Sequence, residues 1–346
     1  MTRPHPIGPH AAAGPSSDPM TPHCLLLSDE MDRANGAAID AIAAECARPL
    51  QRLALSAADA DPARLDAVTG AWYSRDLFTG GGPTTPSPGT LRFFERIDAA
   101  PRLSWLHVMS AGTDLPMYRN ALARGVGLTT STGVTALPIA QTAVAAVLAH
   151  ARGFPGWLDA QRRGEWAPRY GAASPADLGG QTAVIVGLGP IGLEIARLLR
   201  AIGLRTVGVR QRDEPCDGVD ATHVYADLDA LLPGCDWLIL CCPLTPLTHG
   251  LVDAARLARL PAHARLINVG RGPVVAEAAL IEALRTGRLA GAYLDVFEHE
   301  PLPADSPLWT LPGVWLSPHN SASSLGNGAR DVQRFLHSLR DWLRTP

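Results

Sequence analysis

TAVIVGLGPIGLEIARLLRAIGLRTVGVR, residues 182–210, decides the fold. It opens with a short, compact apolar run of the kind that forms a buried strand. Leu193, Ala196, Leu198 and Leu199 then recur at helical spacing, and a second strand, LRTVGVR, closes the unit. Between strand and helix stand Gly187, Gly189 and Gly192. A GxGxxG alone is a weak signal, but in this setting each glycine has work to do in holding a dinucleotide. Gly187 permits the tight turn, Gly189 lets the backbone approach a pyrophosphate, and Gly192 lets helix and strand pack closely. Pro190 and Ile191 open the helix, whose unbonded N–H groups face the phosphates.

About 20 residues further on, a site for NAD normally carries an acidic residue against the ribose 2′-hydroxyl. Here the strand ends in Arg210, Gln211 and Arg212. Two guanidinium groups suit a 2′-phosphate, so the cofactor expected is NADP(H) in preference to NAD(H). The competing possibility is that both arginines are solvated and Asp213 or Glu214 reaches the ribose, although those acids fall late.

Working outward, downstream strand-like runs lie at 237–242, 265–270 and 290–297, with helical segments at 253–260 and 276–286. Near-continuous apolar strands alternating with helices predict a parallel, doubly wound sheet covered on both faces. Upstream, CLLLS (24–28), a helix over 34–47, the run 65–74, a helix over 93–99, LSWLHVMSAGTD (103–114) and 121–133 form a smaller α/β unit. A long helix with Pro138 in its first turn is expected over 136–152, joining the two. A last helix carries Val332, Phe335, Leu336, Leu339, Trp342 and Leu343, and it is expected to return to the first domain. The fold class is therefore α/β, with two Rossmann-like or flavodoxin-like parallel-sheet domains. The substrate domain is discontinuous (23–132 and 321–346), and a dinucleotide domain (133–320) is inserted in it.

A chain of 346 residues exceeds one ordinary core. Its net charge of −3 offers no basic field for nucleic acid. Six cysteines without CxxC spacing read as reduced core thiols in a cytoplasmic protein, and no metal site is expected. No apolar run is long enough for a membrane helix. Residues 1–22, rich in Pro, Ala and Ser, read as a disordered tail without a signal-peptide core, and Met20 is an alternative start. GGGPTTPSPGT (80–90) is either a lid or a tolerated loop. The segment 153–180 reads as loop-rich, with Trp157 and Trp166 covering a partner subunit or capping the helix.

SAGTD (110–114), GLGPIG (187–192), DWLILCCPLTPLTHGLV (236–252), INVGRGPVV (267–275), LDVFEHEPLP (294–303), SPLW (306–309) and SPH (317–319) occur in one order and spacing. In this the chain resembles the D-isomer-specific 2-hydroxyacid dehydrogenases, which include glyoxylate/hydroxypyruvate reductases. The resemblance implies NAD(P)H-dependent reduction of a small 2-oxo acid to the D-2-hydroxy acid. By the same resemblance, Arg271 binds the substrate carboxylate and oxo group, His319 is the acid/base, and Glu300 tunes His319. Glu298 is expected to face solvent and His299 to be a loop residue. Backbone N–H groups of Ala111 and Gly112 would bind the carboxylate, and domain closure would complete the site.

Arg75, with Trp72 and Tyr73, either lines the substrate pocket or, for the two aromatics at least as readily, belongs to the core. Cys242, Pro243, Thr248, Val269, Gly270 and Asp295 fall at cofactor-side positions, and a homodimer is implied. Gln141, Asn320, Ser321 and Ala322 depart from the usual pattern. A rival from another class is a nucleotide-sensing corepressor on the same fold; formate or phosphite oxidation is opposed by Glu300, where a formate dehydrogenase would be expected to carry glutamine.

Overall fold

A computed structural model of the protein describes residues 22–80, 85–113, 115–171 and 174–345. Almost the whole of the predicted tail, and the 81–84 portion of the glycine–proline insertion, lie outside the described residues. The chain divides into two compact units, one comprising residues up to 134 together with those from 325, the other residues 135–324.

The first unit holds a five-stranded parallel sheet in the order β2-β1-β3-β4-β5. The strands are β1 His23–Leu27, β2 Leu50–Ala54, β3 Gly70–Tyr73, β4 Trp105–Val108 and β5 Gly127–Thr130. The strand β2 escaped the sequence reading because in LQRLA only Leu53 is fully buried, which leaves no clear apolar run. The first helix begins at Asp29, not Ala34. Ser28 caps it by accepting the Met31 N–H at 3.1 Å, and its acidic first turn suits the positive helix end but carries no apolar signal.

The helix expected over 93–99 spans Pro88–Asp98. Ser87 caps it, accepting the Thr90 N–H at 3.0 Å. The end of the glycine–proline insertion is therefore the start of a helix, not open loop.

Trp72 and Tyr73 are fully buried, so both belong to the core and neither lines a pocket. Trp72 stacks on Phe335 of the C-terminal helix Asn327–Arg344 with centroids 3.7 Å apart and planes 3° from parallel. Trp105 stacks on Trp342 of the same helix at 4.6 Å. The tail end of the chain thus closes the core of its beginning.

The second unit holds a seven-stranded parallel sheet in the order β12-β11-β10-β9-β6-β7-β8. Its strands are β6 Thr182–Val186, β7 Arg205–Arg210, β8 Ala221–Val224, β9 Trp237–Leu240, β10 Arg265–Asn268, β11 Gly291–Leu294 and β12 Val314–Leu316. The two strands the sequence reading omitted, β8 and β12, are the half-buried edges, where the apolar pattern is weakest. The helix Ala136–Arg152 packs Ile139, Ala143 and Val147 into this unit's core, so it is a core element and not a bare connector. A further helix, Phe154–Arg162, occupies the start of the segment read as loop.

The chain leaves β6 toward β7 and β8, then returns to β9 on the other side of β6. The carboxyl ends of β6 and β9 therefore flank the topological switch point, where open α/β sheets bind ligands.

Candidate active site

GLGPIG lies at that switch point. A Cβ on Gly187 would stand 2.7 Å from the Cys242 nitrogen, and one on Gly192 would stand 1.9 Å from the Gly187 oxygen. Neither position has room for a side chain. A Cβ on Gly189, by contrast, would meet nothing within 4 Å, so the backbone there faces open space. Gly189 is the N-cap of the helix Pro190–Ala201, and no side chain caps that end. The combination fits a pyrophosphate approaching bare backbone at a helix N-terminus.

Cys242 is buried and burial pushes its thiol up to about 11, so it serves as wall and not as a reactive group. Thr248 donates to the Pro243 carbonyl at 2.6 Å and accepts the Thr245 N–H at 2.8 Å, which fixes the turn after β9. Arg210 ends β7 half-buried, while Gln211 and Arg212 are exposed. Neither arginine has a carboxylate partner among the described residues, and Asp213 and Glu214 are exposed.

Arg271 follows β10. Asn268 brackets it: its side-chain oxygen accepts the Gly270 N–H at 3.1 Å, and its amide donates to the Arg271 carbonyl at 3.1 Å. The flanking glycines are there for space. A Cβ on Gly270 would approach the Cys242 oxygen to 2.9 Å, and one on Gly272 would approach the Phe297 carbonyl to 1.9 Å. Gly272 thereby lets the arginine turn lie flat against the loop that carries Glu300.

In that loop Glu300 accepts the Phe297 N–H at 3.1 Å, and its other oxygen lies 2.8 Å from His319 Nδ1. Hydrogen bonding to Glu300, against the opposing effect of burial, raises the His319 pKa above its ordinary value. Burial pushes the Glu300 carboxyl up, but the bond to His319, its charge, the Phe297 amide and Arg271 outweigh this and hold it below the usual range. With Nδ1–H donated to Glu300, Nε2 is the nitrogen left to exchange a proton.

His319 adopts φ 52°, the left-handed region. Asp295 explains how it stays there. Buried behind the loop, its carboxylate accepts Ser317 Oγ at 2.5 Å, the Asn320 N–H at 2.7 Å and the Ser321 N–H at 3.0 Å, and also binds the Ser321 hydroxyl. Its backbone carbonyl takes the His319 N–H at 2.8 Å. The departures Asn320 and Ser321 are therefore part of the scaffold of His319.

Glu298 is exposed as expected, yet it also accepts the Glu277 N–H at 2.9 Å and so caps a helix. His299 is exposed. Gln141 is exposed on its helix. Asn268, Ser317 and Gly272 were not singled out from sequence; Gly272 was the readable clue, as the second glycine beside Arg271.

In the first unit, Ala111 and Gly112 follow β4, with Ser110 Oγ donating to the Gly112 carbonyl at 2.7 Å. Asp114 of SAGTD lies outside the described residues. Arg75 begins a short helix just beyond β3 and stands 3.9 Å from Asp331. Among the described residues no group of three or more potential ligands could hold a metal ion, and no helix is long and apolar enough to cross a membrane.

Residues 144–321 match the profile of the D-isomer specific 2-hydroxyacid dehydrogenase NAD-binding domain. Glyoxylate/hydroxypyruvate reductase B of Klebsiella pneumoniae (strain 342) is 38% identical over 238 residues, covering 67% of this chain and 74% of its own. Glyoxylate reductase of Thermofilum pendens is 35% identical over 234 residues, covering 67% and 69%. Among solved structures, a D-isomer specific 2-hydroxyacid dehydrogenase from Xanthobacter autotrophicus Py2 in complex with NADPH and MES superposes with a TM-score of 0.68 at 30% identity, over 92% of this chain and 95% of that one. An NADPH-dependent glyoxylate/hydroxypyruvate reductase from Sinorhizobium meliloti, in complex with NADP and sulfate, gives 0.62 at 27% identity over 92% of each.

The chain belongs to the D-isomer specific 2-hydroxyacid dehydrogenase family. It is an NAD(P)-dependent oxidoreductase of that class, and 2-oxo acid reduction is its general chemistry.

Proposed function

We propose that the protein reduces a small 2-oxo acid of the glyoxylate or hydroxypyruvate kind to the D-2-hydroxy acid, using NADPH in preference to NADH. The observation that carries this reading is the 2.8 Å pair of His319 Nδ1 and Glu300, standing on the same sheet edge as Arg271 and the bare backbone of Gly189.

Gly187, Gly189, Gly192, Pro190 and Ile191 would hold NADPH, which would supply the hydride for C2 of the oxo acid. Arg271 presents its planar fork to the carboxylate and the 2-oxo oxygen, orienting the carbonyl and drawing charge toward its oxygen. His319, kept protonated by Glu300, gives its Nε2 proton to that oxygen as charge develops there. Glu300 stays ionised throughout and stabilises the imidazolium. Asp295 holds the His319 loop, while Cys242, Pro243, Thr248, Val269 and Gly270 wall the cofactor side.

Arg210 and Arg212 clamp the 2′-phosphate, flanked by Gln211. In the first unit, the Ala111 and Gly112 N–H groups and the Arg75 guanidinium bind the acid. The assignment of that unit to substrate and of 135–324 to cofactor follows from these roles.

Two further readings accompany this. Phe154, Trp157, Leu158, Trp166 and Tyr170 are exposed, Trp166 at 95%, and they support a homodimer that buries them. All six cysteines are free, which fits a reducing cytoplasm.

The test is a panel of glyoxylate, hydroxypyruvate, pyruvate and phenylpyruvate with each cofactor, followed at the nicotinamide absorbance. Turnover with NADPH and loss of it in Arg271→Ala and His319→Ala support the reading. Failure of every oxo acid with both cofactors refutes it.

A further inference from the structure

The first unit contains a buried polar chain that the chemistry above does not use. It starts at the Trp105 indole N–H, which donates to Thr129 Oγ1 at 3.0 Å. Thr129 Oγ1 lies 2.9 Å from His107 Nδ1, and His107 Nε2 lies 3.2 Å from Ser131 Oγ. Ser131 in turn donates to Asp331 Oδ1 on the C-terminal helix. The other oxygen of Asp331 stands 3.9 Å from Arg75 Nε.

The direction of the chain is fixed by its ends. An indole N–H can only donate, and an ionised carboxylate can only accept. Ser131 gives its one proton to Asp331 and can therefore only accept from His107, so Nε2 carries the ring proton. Nδ1 of the neutral ring then accepts from Thr129, whose oxygen also receives the Trp105 N–H. Burial, with Arg334 nearby, drives the His107 pKa down to about 3, so the ring is neutral, as a single directed donor requires. His107 is fully buried and Asp331 is 2% exposed.

Arg75 sits at the open end. Its Nε is buried without a hydrogen-bond partner among the described residues, and its charge partner there is Asp331. The competing acid, Asp76, accepts from Ser74 Oγ at 2.6 Å. Arg75 begins immediately after β3, on the same carboxyl edge of the sheet as the Ser110–Gly112 turn after β4. A guanidinium held at its Nε side keeps both terminal nitrogens available for an anion.

We propose that Asp331 is the positioning residue for Arg75: the directed chain from Trp105 through His107 and Ser131 holds a carboxylate whose charge, 3.9 Å from Nε, orients the guanidinium at the carboxyl edge of the first sheet, ready for an oxo acid. This rests on the reading above that Arg75 touches the acid.

The experiment separates the two. Asp331→Asn keeps shape but removes the anion. It is expected to raise KM for glyoxylate about five-fold or more, the equivalent of roughly 1 kcal/mol, with kcat and the KM for NADPH changed less than about two-fold. Arg75→Ala should raise KM at least as much, and the double variant no further, because both changes remove one interaction. Ser131→Ala, which leaves the carboxylate in place but without its donor, should give a smaller rise in the same direction and stands in where Asp331→Asn does not fold.

If Arg75→Ala raises KM while Asp331→Asn and Ser131→Ala both leave it unchanged, the inference is overturned and the reading of Arg75 survives. If Arg75→Ala leaves KM unchanged, the reading of Arg75 falls and the inference with it. Nitrogen NMR of His107 gives an independent check: protonation at Nε2 through neutral pH is expected, and protonation at Nδ1 overturns the chain.

Discussion

Replacing Asp295 with asparagine removes one negative charge from beneath the His319 loop and nothing else in volume. The carboxylate receives Ser317 Oγ at 2.5 Å, the Asn320 N–H at 2.7 Å and the Ser321 N–H at 3.0 Å on one oxygen, with the Ser321 hydroxyl on the other. In the amide, the oxygen can keep the first three, but the new NH₂ group replaces the oxygen that binds the Ser321 hydroxyl and also lies 3.2 Å from the Ser321 N–H, which there meets donor with donor. Hydrogen bonds to a charged acceptor are worth about 1.5–3 kcal/mol against about 0.5–1.5 for neutral ones. Three surviving bonds each weakened by about 1 kcal/mol give a loss of about 3 kcal/mol. For a domain the size of the second unit, at about 2–4 °C per kcal/mol, the melting transition should fall by about 6–12 °C. Because the loop carries His319 at φ 52°, relaxation also shifts the imidazole, and a displacement of about 1 Å costs about a hundred-fold in rate. Calorimetry, together with kcat for glyoxylate and NADPH at a temperature well below the transition, measures both. A variant that melts within about 2 °C of the parent and keeps its kcat would refute the account of Asp295 as scaffold.

Glu300→Gln should move the pH profile of reduction. The Glu300 hydrogen bond and charge raise the His319 pKa, so the imidazolium needed as acid is present below that pKa and lost as pH rises through it. Without the carboxylate the loss comes at lower pH, and an unshifted alkaline limb in kcat against pH contradicts the pairing. Arg210→Ala with Arg212→Ala should raise KM for NADPH about ten-fold or more, the loss of one charge-assisted contact of about 1.5–3 kcal/mol, with little change for NADH. Equal effects on the two cofactors would remove the 2′-phosphate from the argument. Trp72→Ala should cost about 3–5 kcal/mol of stability, because the ring is fully buried against Phe335. If it folds, KM for the oxo acid should stay within about two-fold, and a large KM change with an unaltered melt would return Trp72 to the pocket.

The strands that carry the site were legible because they are buried on both faces and read as solid apolar runs: 182–186, 237–240, 265–268 and 291–294. What sequence missed lies at sheet edges, β2, β8 and β12, where half-exposed residues dilute the pattern. The first helix was placed late because its start is written in Ser28 and a run of acids, a capping signal and not a hydrophobic one. Arg271, Glu300 and His319 were visible as a set through motif order. Their scaffold was not, since Asn268, Ser317 and the full role of Asp295 depend on contacts made only when separate loops meet. Likewise Asp331 is some 250 residues from Arg75 in the chain, and no local pattern links them.

The stacking of Phe335 on Trp72 and of Trp342 on Trp105 also sets an order of events during synthesis. As the chain emerges, the five strands of the first unit appear early but lack the helix that covers one face of their sheet. The 135–324 unit has all of its strands and core before Phe335 is made. Domains generally fold as units once complete. The middle of this chain can therefore reach its final state while the beginning still waits with Trp72 and Trp105 uncovered.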